Sequence, residues 1–216
     1  MVVRNKGRSP VIKQLPLSDI VAEELRQRIW QGDFQAGERL IEADLASEME
    51  ISRSSLREAL QILENEKLVV NKSRKGTFIN HFTERDIAEI TEVRLCLEVP
   101  ALIQAAKNLT EDDRNYLNHL LELMRQNLEK EDWYELFNIE MEFHRYLVDL
   151  CNNSRIRDIY CNLLVQIRTY FNLLKDYYST RKETFYHEHK QLLDAIKTGD
   201  KRIVEKAVLD HIRLLT

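Results

Sequence analysis

The chain has 216 residues, 44% of them hydrophobic and 31% charged, with only 5 Gly and 3 Pro. That length accommodates one or two domains with a core in each, and the shortage of breakers among strong helix formers predicts a mostly α fold. No apolar run approaches the about 18 residues that cross a bilayer, which excludes membrane insertion. Cys96, Cys151 and Cys161 form no Cys-x-x-Cys pair and no charged-then-apolar leader precedes the first helix, so the expectation is a cytoplasmic chain without a thiolate zinc site.

Net charge is −4, yet it is unevenly spread. Residues 1–80 hold 13 Lys and Arg against 12 Asp and Glu, a balance of +1, whereas residues 81–216 hold 19 against 24, a balance of −5. Residues 1–16 read as a basic tail, with Arg4, Lys6, Arg8 and Lys13. Leu17, Val21, Leu25 and Ile29 then recur every fourth residue and predict a helix over 18–31, with Ser18 as N-cap and Gly32 as terminator. Short helices over 42–49 and 52–65, the second capped by Ser52, outline a helix-turn-helix. Leu68-Val69-Val70 and Thr77-Phe78-Ile79 flank a polar loop ending in Gly76, a small hairpin and the only strand signal in the sequence. From Thr83 onward the pattern is helical, over 84–107, 111–129, 132–152, 154–177, 181–198 and 201–215. Thr83-x-x-Asp86 and Thr110-x-x-Asp113 mark two starts, and Pro100 is expected to kink or interrupt the first of these helices.

The helix over 52–65 has one apolar face, Leu56, Ala59, Leu60 and Leu63, and an opposite face bearing Arg53, Ser54, Arg57 and Gln61. Arginine forks match guanine edges or phosphates, and Ser52, Ser54, Ser55 and Gln61 add contacts, as a helix lying in a major groove requires. A solvated polar face gives the same pattern in an isolated helix. The hairpin favours DNA, because Lys72, Arg74 and Lys75 stand beside Gly76 on a loop whose backbone can approach a phosphate closely or enter a minor groove.

In the second part of the chain, Glu140 and His144 fall mid-stripe on the apolar face of the helix over 132–152, one helical turn apart. His189 and His211 fall on the apolar faces of the last two helices, while His187 lies off the stripe, and His81 and His119 have no place in such a cluster. Burial of one carboxylate and three imidazoles without partners costs a few kcal/mol each, and a single divalent cation would satisfy all four. Zinc, nickel, cobalt, iron(II) and manganese all suit such donors. Arg94 and Glu98 share the apolar stripe of the helix over 84–107, and two readings are open. They form an ion pair along the helix, or Arg94 receives the carboxylate of a small organic acid effector beside Glu98.

Two resemblances follow. Gly32-Asp33-Phe34-Gln35-Ala36-Gly37-Glu38-Arg39-Leu40, Asp44-Leu45-Ala46, Ile51-Ser52-Arg53-Ser54-Ser55-Leu56-Arg57-Glu58-Ala59-Leu60 and Lys75-Gly76-Thr77-Phe78-Ile79 resemble the winged helix-turn-helix of GntR-superfamily bacterial transcription regulators over 17–80. The resemblance implies that Arg39, Arg53, Ser54, Ser55, Arg57 and Gly76 touch operator DNA; Ser54-Ser55-Leu56 departs from the Thr-Pro-Val of many members. Residues 81–216 resemble the all-helical FCD effector domain of the FadR-type branch, through Glu92-Val93-Arg94-Leu95-x-Leu97-Glu98-x-Pro100, Glu140-x-x-Phe143-His144, Glu188-His189-x-x-Leu192-Leu193 and His211. Metal-binding members carry Asp and three His there, which implies Glu140, His144, His189 and His211 as ligands of a divalent transition metal (zinc, nickel, manganese or iron), with Glu140 the departure.

The expectation is a homodimeric transcription regulator, a repressor, that binds double-stranded operator DNA and a small organic acid and has no membrane partner. Members without a metal bind other effectors, acyl-CoA among them. A metalloenzyme is the rival from another class, but an enzyme has no use for a cationic wing and an arginine-bearing recognition helix. A ligand-free nucleoid-type binder would leave the interior polar residues unexplained.

Overall fold

The computed structural model describes residues 15–173 and 178–213. The basic tail expected over the first residues, and the ends of the helices expected over 154–177 and 201–215, lie outside these or reach beyond them. Helix α1 runs Leu17–Gln31 and buries Val21, Ala22, Leu25 and Ile29, the face set by the four-residue spacing. Its N-cap is Pro16, with no side-chain cap bond, and not the expected Ser18. Proline pre-sets the backbone angle, so a hydroxyl is not needed to begin the helix. Gly32 at φ +89° ends it, and Asp33 N–H returns to the Arg28 carbonyl at 3.0 Å.

Helices α2 (Glu42–Glu48) and α3 (Arg53–Asn65) are separated by a turn in which Glu50 takes φ +54°. Ser52 Oγ accepts from Ser55 N–H at 3.1 Å and caps α3. Three strands follow the order β1 (Arg39–Leu40), β3 (Gly76–Ile79), β2 (Val69–Lys72), all antiparallel. The sequence suggested the β2–β3 hairpin alone. β1 adds a third strand by pairing Arg39 with Phe78 and Leu40 with Thr77, and a two-residue strand has no periodicity to read. Leu25, Leu56, Leu63, Leu68 and Ile79 close the core of this head.

The rest is a bundle of α4 (Glu84–Asn108), α5 (Glu111–Lys130), α6 (Trp133–Asp149), α7 (Ser154–Leu173), α8 (Lys182–Lys197) and α9 (Lys201–Arg213). Both expected capping boxes form, with Thr83 and Thr110 receiving the Asp86 and Asp113 N–H groups at 3.2 Å. α4 is the axis of the bundle, in contact with α6, α7, α8 and α9. It passes through Pro100 as one uninterrupted helix, contrary to the expected break. Pro100 is exposed, as is Cys96, whose carbonyl loses its helical donor. Leu102, Phe137, Phe143, Leu147, Ile196, Val208 and Ile212 belong to the second, separate core.

Candidate DNA-reading head and buried polar centre

On the head, Arg53, Ser54 and Arg57 are exposed along α3 and Ser55 is half-buried. Ser52 spends its hydroxyl on the cap, with Ser54 Oγ and Ser55 Oγ at 2.8 and 2.9 Å, so its local work is to hold the start of α3. Arg57 Nε donates to Glu42 Oε2 at 2.7 Å across the helix-turn-helix, a partner fifteen residues away that helix-face arithmetic does not reach. Exposed pairs of this kind contribute about 0–1 kcal/mol, so the guanidinium exchanges readily onto a phosphate or base. Lys72, Arg74 and Lys75 stand exposed at the wing, with Arg74 at φ +61°.

Gly76 has φ +102°, and a Cβ there would lie 3.2 Å from Arg39 Nε. The bare glycine lets the Arg39 guanidinium lie across the base of the wing, which joins the two residues in one cationic surface. Gly76→Ala is therefore expected to weaken operator binding several-fold while the bundle melts unchanged; a fluorescence-anisotropy titration giving wild-type affinity would contradict this assignment.

The four polar residues expected in the bundle interior converge. One donor atom from each of Glu140, His144, His189 and His211 lies within 4.8 Å of the others, and all four residues are buried. α6 places Glu140 and His144 one turn apart, α8 supplies His189 and α9 supplies His211. His144 Nδ1–H donates to Glu98 Oε2 at 2.9 Å, and His189 Nδ1–H donates to the Phe185 carbonyl at 2.7 Å. Each bond turns the ring's Nε2 toward the centre, as outer partners of metal-ligating imidazoles do. His144 Nε2 stands 3.0 Å from His211 Nε2 and 3.3 Å from Glu140 Oε1. Glu140 Oε2 touches His189 Nε2, though neither atom makes a geometrically sound hydrogen bond.

Two lone pairs cannot face each other at 3.0 Å unless a proton or cation lies between them. Donors separated by 3.0 and 3.3 Å match atoms sharing one ion at about 2.0–2.2 Å. The electrostatics agree. Burial disfavours charge on His144, but the Glu140 and Glu98 carboxylates outweigh it and raise its pKa to about 9. Burial likewise opposes charge on Glu140, which the imidazoles of His189 and His144 more than offset, holding it well below the usual carboxylate range. Burial, reinforced by His189 and His144, keeps His211 neutral. The centre attracts positive charge, and the donor set fits a divalent transition metal.

Arg94 and Glu98 sit beside it, both fully buried, and the intrahelical reading describes their geometry: Arg94 Nε donates to Glu98 Oε1 at 2.7 Å. Glu98 Oε1 also accepts from Tyr160 OH at 2.9 Å, while Arg94 Nη1 donates to Tyr170 OH at 3.3 Å. Burial raises the pKa of Glu98, but Arg94 and His144 overcome it and leave the group ionised. Glu98, expected next to an effector, is thus first a support for His144. Tyr160 and Tyr170 were missed because a tyrosine in an apolar stripe reads as core, and only its hydroxyl tip gives it away.

A winged helix-turn-helix whose cations face outward, joined to a helical bundle with a buried polar centre, is the architecture of a DNA-binding regulator. The gntR family of bacterial regulatory proteins matches residues 17–79 and the FCD domain matches residues 89–214. The chain belongs to this family: it is a GntR transcription regulator with an FCD domain, and not an enzyme. It is 33% identical to the gluconate operon transcriptional repressor of Bacillus licheniformis, over 87% of this chain and 79% of that protein. It is 30% identical to the HTH-type transcriptional regulator YdhC of Bacillus subtilis (strain 168), over 87% of this chain and 84% of that protein. Among solved structures, a transcriptional regulator GntR from Rhodococcus sp. RHA1 superimposes with a TM-score of 0.78 at 25% identity, covering 91% of this chain and 93% of that one. No helix among the described residues is long and apolar enough to cross a membrane.

Proposed function

We propose that the protein is a homodimeric, metabolite-responsive repressor that binds operator DNA through Arg39, Arg53, Ser54, Ser55, Arg57, Lys72, Arg74, Lys75 and Gly76, and holds a divalent transition metal at Glu140, His144, His189 and His211. The convergence of one carboxylate and three imidazole donors on one buried point carries the reading. The repressors among its relatives support the sign of regulation, and a dimer supplies two heads for half-sites about 34 Å apart or a multiple of that. The domains of this proposal are the head over 17–80, preceded by the basic tail, and the effector and dimerisation domain over 81–216.

A bound ion would offer open positions to the carboxylate of a small organic acid. The protein's own part is to orient His144 through Glu98, His189 through the Phe185 carbonyl, and to place the Arg94 guanidinium as the balancing charge. Coupling between effector and operator is reciprocal and typically about 1–3 kcal/mol. In an anisotropy titration on metal-loaded protein screened against organic acids, at least one acid is therefore expected to weaken operator binding about 5- to 150-fold, and to bind less tightly itself when operator is present. Operator affinity indifferent to every acid and to the metal would overturn the reading.

His144 has to lose its second proton to become a ligand. With its pKa at about 9, ion uptake at pH 7–8 is expected to release about one proton per chain from it, and affinity for the ion is expected to rise with pH until about 9. Calorimetry in buffers of different ionisation heat measures the released proton; uptake without proton release contradicts the assignment of His144.

A further inference from the structure

Helix α7 has two polar edges. One faces the buried centre, where Tyr160 OH donates to Glu98 and Tyr170 OH accepts from Arg94. The other faces the head. Thr169 Oγ1 accepts from Trp30 Nε1 at 2.9 Å, and Asn172 Nδ2 donates to the Trp30 carbonyl at 2.9 Å. Trp30 is therefore held by α7 through both its ring and its backbone, at the penultimate residue of α1. α1 in turn packs along α3, the helix that carries Arg53 and Arg57.

Arg168 lies at the centre of this joint, only 2% exposed. Its guanidinium carbon is 5.4 Å from the Trp30 ring centre, 5.2 Å from Tyr134 and 5.4 Å from Phe137. Its hydrogen bonds go to Asn138 Oδ1 at 3.1 Å, Asn172 Oδ1 at 2.8 Å and the Tyr134 carbonyl at 3.2 Å. Among the described residues no carboxylate forms a salt bridge with it. A buried cation whose contacts are neutral dipoles and π faces, with only the more distant Glu135 carboxylate to favour its charge, is a poor device for stability, because burial outweighs that charge and lowers its pKa to about 10. It is a good device for geometry, since a fork of fixed N–H directions ties α6 to α7 while its planar face lies over the Trp30 ring. The joint also meets the second core, as Phe137 under Arg168 packs on Phe171 at 5.3 Å, and Phe171 stacks on Tyr170 at 5.2 Å.

We propose that α7 transmits the state of the buried centre to the DNA-reading head, with Arg168, Thr169 and Asn172 clasping Trp30 as positioning residues for α1 and α3. The inference deepens the proposed function and rests on the buried centre being the sensing site. A change at Glu98 or His144 moves Tyr160 and Tyr170 on one edge of α7, and the same rigid helix moves the clasp on the other edge.

The test uses full-length protein with 5-fluorotryptophan at its two tryptophans, Trp30 and Trp133, so that fluorine NMR reports the joint directly. Two perturbations are applied to the centre: zinc ion, and Tyr160→Phe, which removes a donor from Glu98 without needing a metal. Each is expected to shift the Trp30 resonance and to change operator Kd by about 5-fold or more. Adding Arg168→Gln is expected to abolish both responses at unchanged zinc content. Where Arg168→Gln fails to fold, the isosteric Thr169→Val, which removes the acceptor of Trp30 Nε1 and the hydroxyl's own bond to the Val165 carbonyl within α7, serves in its place. Responses that persist in these variants overturn the clasp, as does a Trp30 resonance that ignores both perturbations in protein that binds zinc. If zinc does not bind at all, the metal assignment fails, and the Tyr160→Phe arm still decides the clasp.

Discussion

Arg94→Met is expected to destabilise the bundle by about 3–5 kcal/mol, the penalty for leaving the buried Glu98 carboxylate without its cation. In a domain of this size that corresponds to a fall in Tm of roughly 10–20 °C. Glu98 then retains Tyr160 and His144 as hydrogen-bond partners but no permanent positive charge. The loss should be partly restored by adding Glu98→Gln, which removes the stranded charge while keeping an acceptor for Tyr160. Urea denaturation of the single and double variants measures both effects. A single variant within about 1 kcal/mol of wild type would show that Arg94 is dispensable to the fold and leave it free for a ligand-binding role.

Arg53→Ala with Arg57→Ala is the second large effect, and it falls on function alone. Each arginine contact to a base or phosphate is worth about 1–3 kcal/mol, so the pair should weaken operator binding roughly hundredfold or more. The salt dependence of log Kd should become shallower, because two fewer counterions are released. Folding should be unaffected, since Arg53 and Arg57 are exposed and the Arg57–Glu42 pair contributes little. Glu42→Gln frees Arg57 and should tighten binding modestly. Anisotropy titrations at two salt concentrations decide the matter; an unimpaired double variant would place the operator elsewhere on the protein.

The head and the buried centre were legible for the same physical reason: helical periodicity sorts side chains by face before any tertiary contact is known. Leu56, Ala59, Leu60 and Leu63 fix which side of α3 is core, and so which side shows Arg53 and Arg57. Glu140, His144, His189 and His211 stood out because charged or polar groups on an apolar stripe need an explanation. What periodicity cannot show is partnership between elements. β1 becomes a strand only by pairing with β3. Arg57 meets Glu42 across a turn. Periodicity put Arg94 and Glu98 on one stripe but gave no sign that Tyr160, Tyr170 and His144 complete their surroundings. Arg168 gave no signal, because apart from Asn172 on its own helix the groups it contacts are neutral ones on two other segments of chain, α1 and α6.

Glu140 stands where the resemblance to metal-binding FCD domains implies an aspartate. The longer side chain reaches both His144 Nε2 and His189 Nε2 from one turn before His144, so its carboxylate lies at the same point as the imidazoles. Glu140→Asp is the conservative exchange by which the reach of this carboxylate can be measured.

Elemental analysis of protein purified without chelator tests the central claim most directly. About one divalent transition metal per chain is expected in the wild type, with loss of the metal and of thermal stability in both His189→Ala and His211→Ala, because each leaves the remaining donors around an unfilled site. No metal in the wild type, and none after zinc, nickel or manganese is added back, would contradict the account.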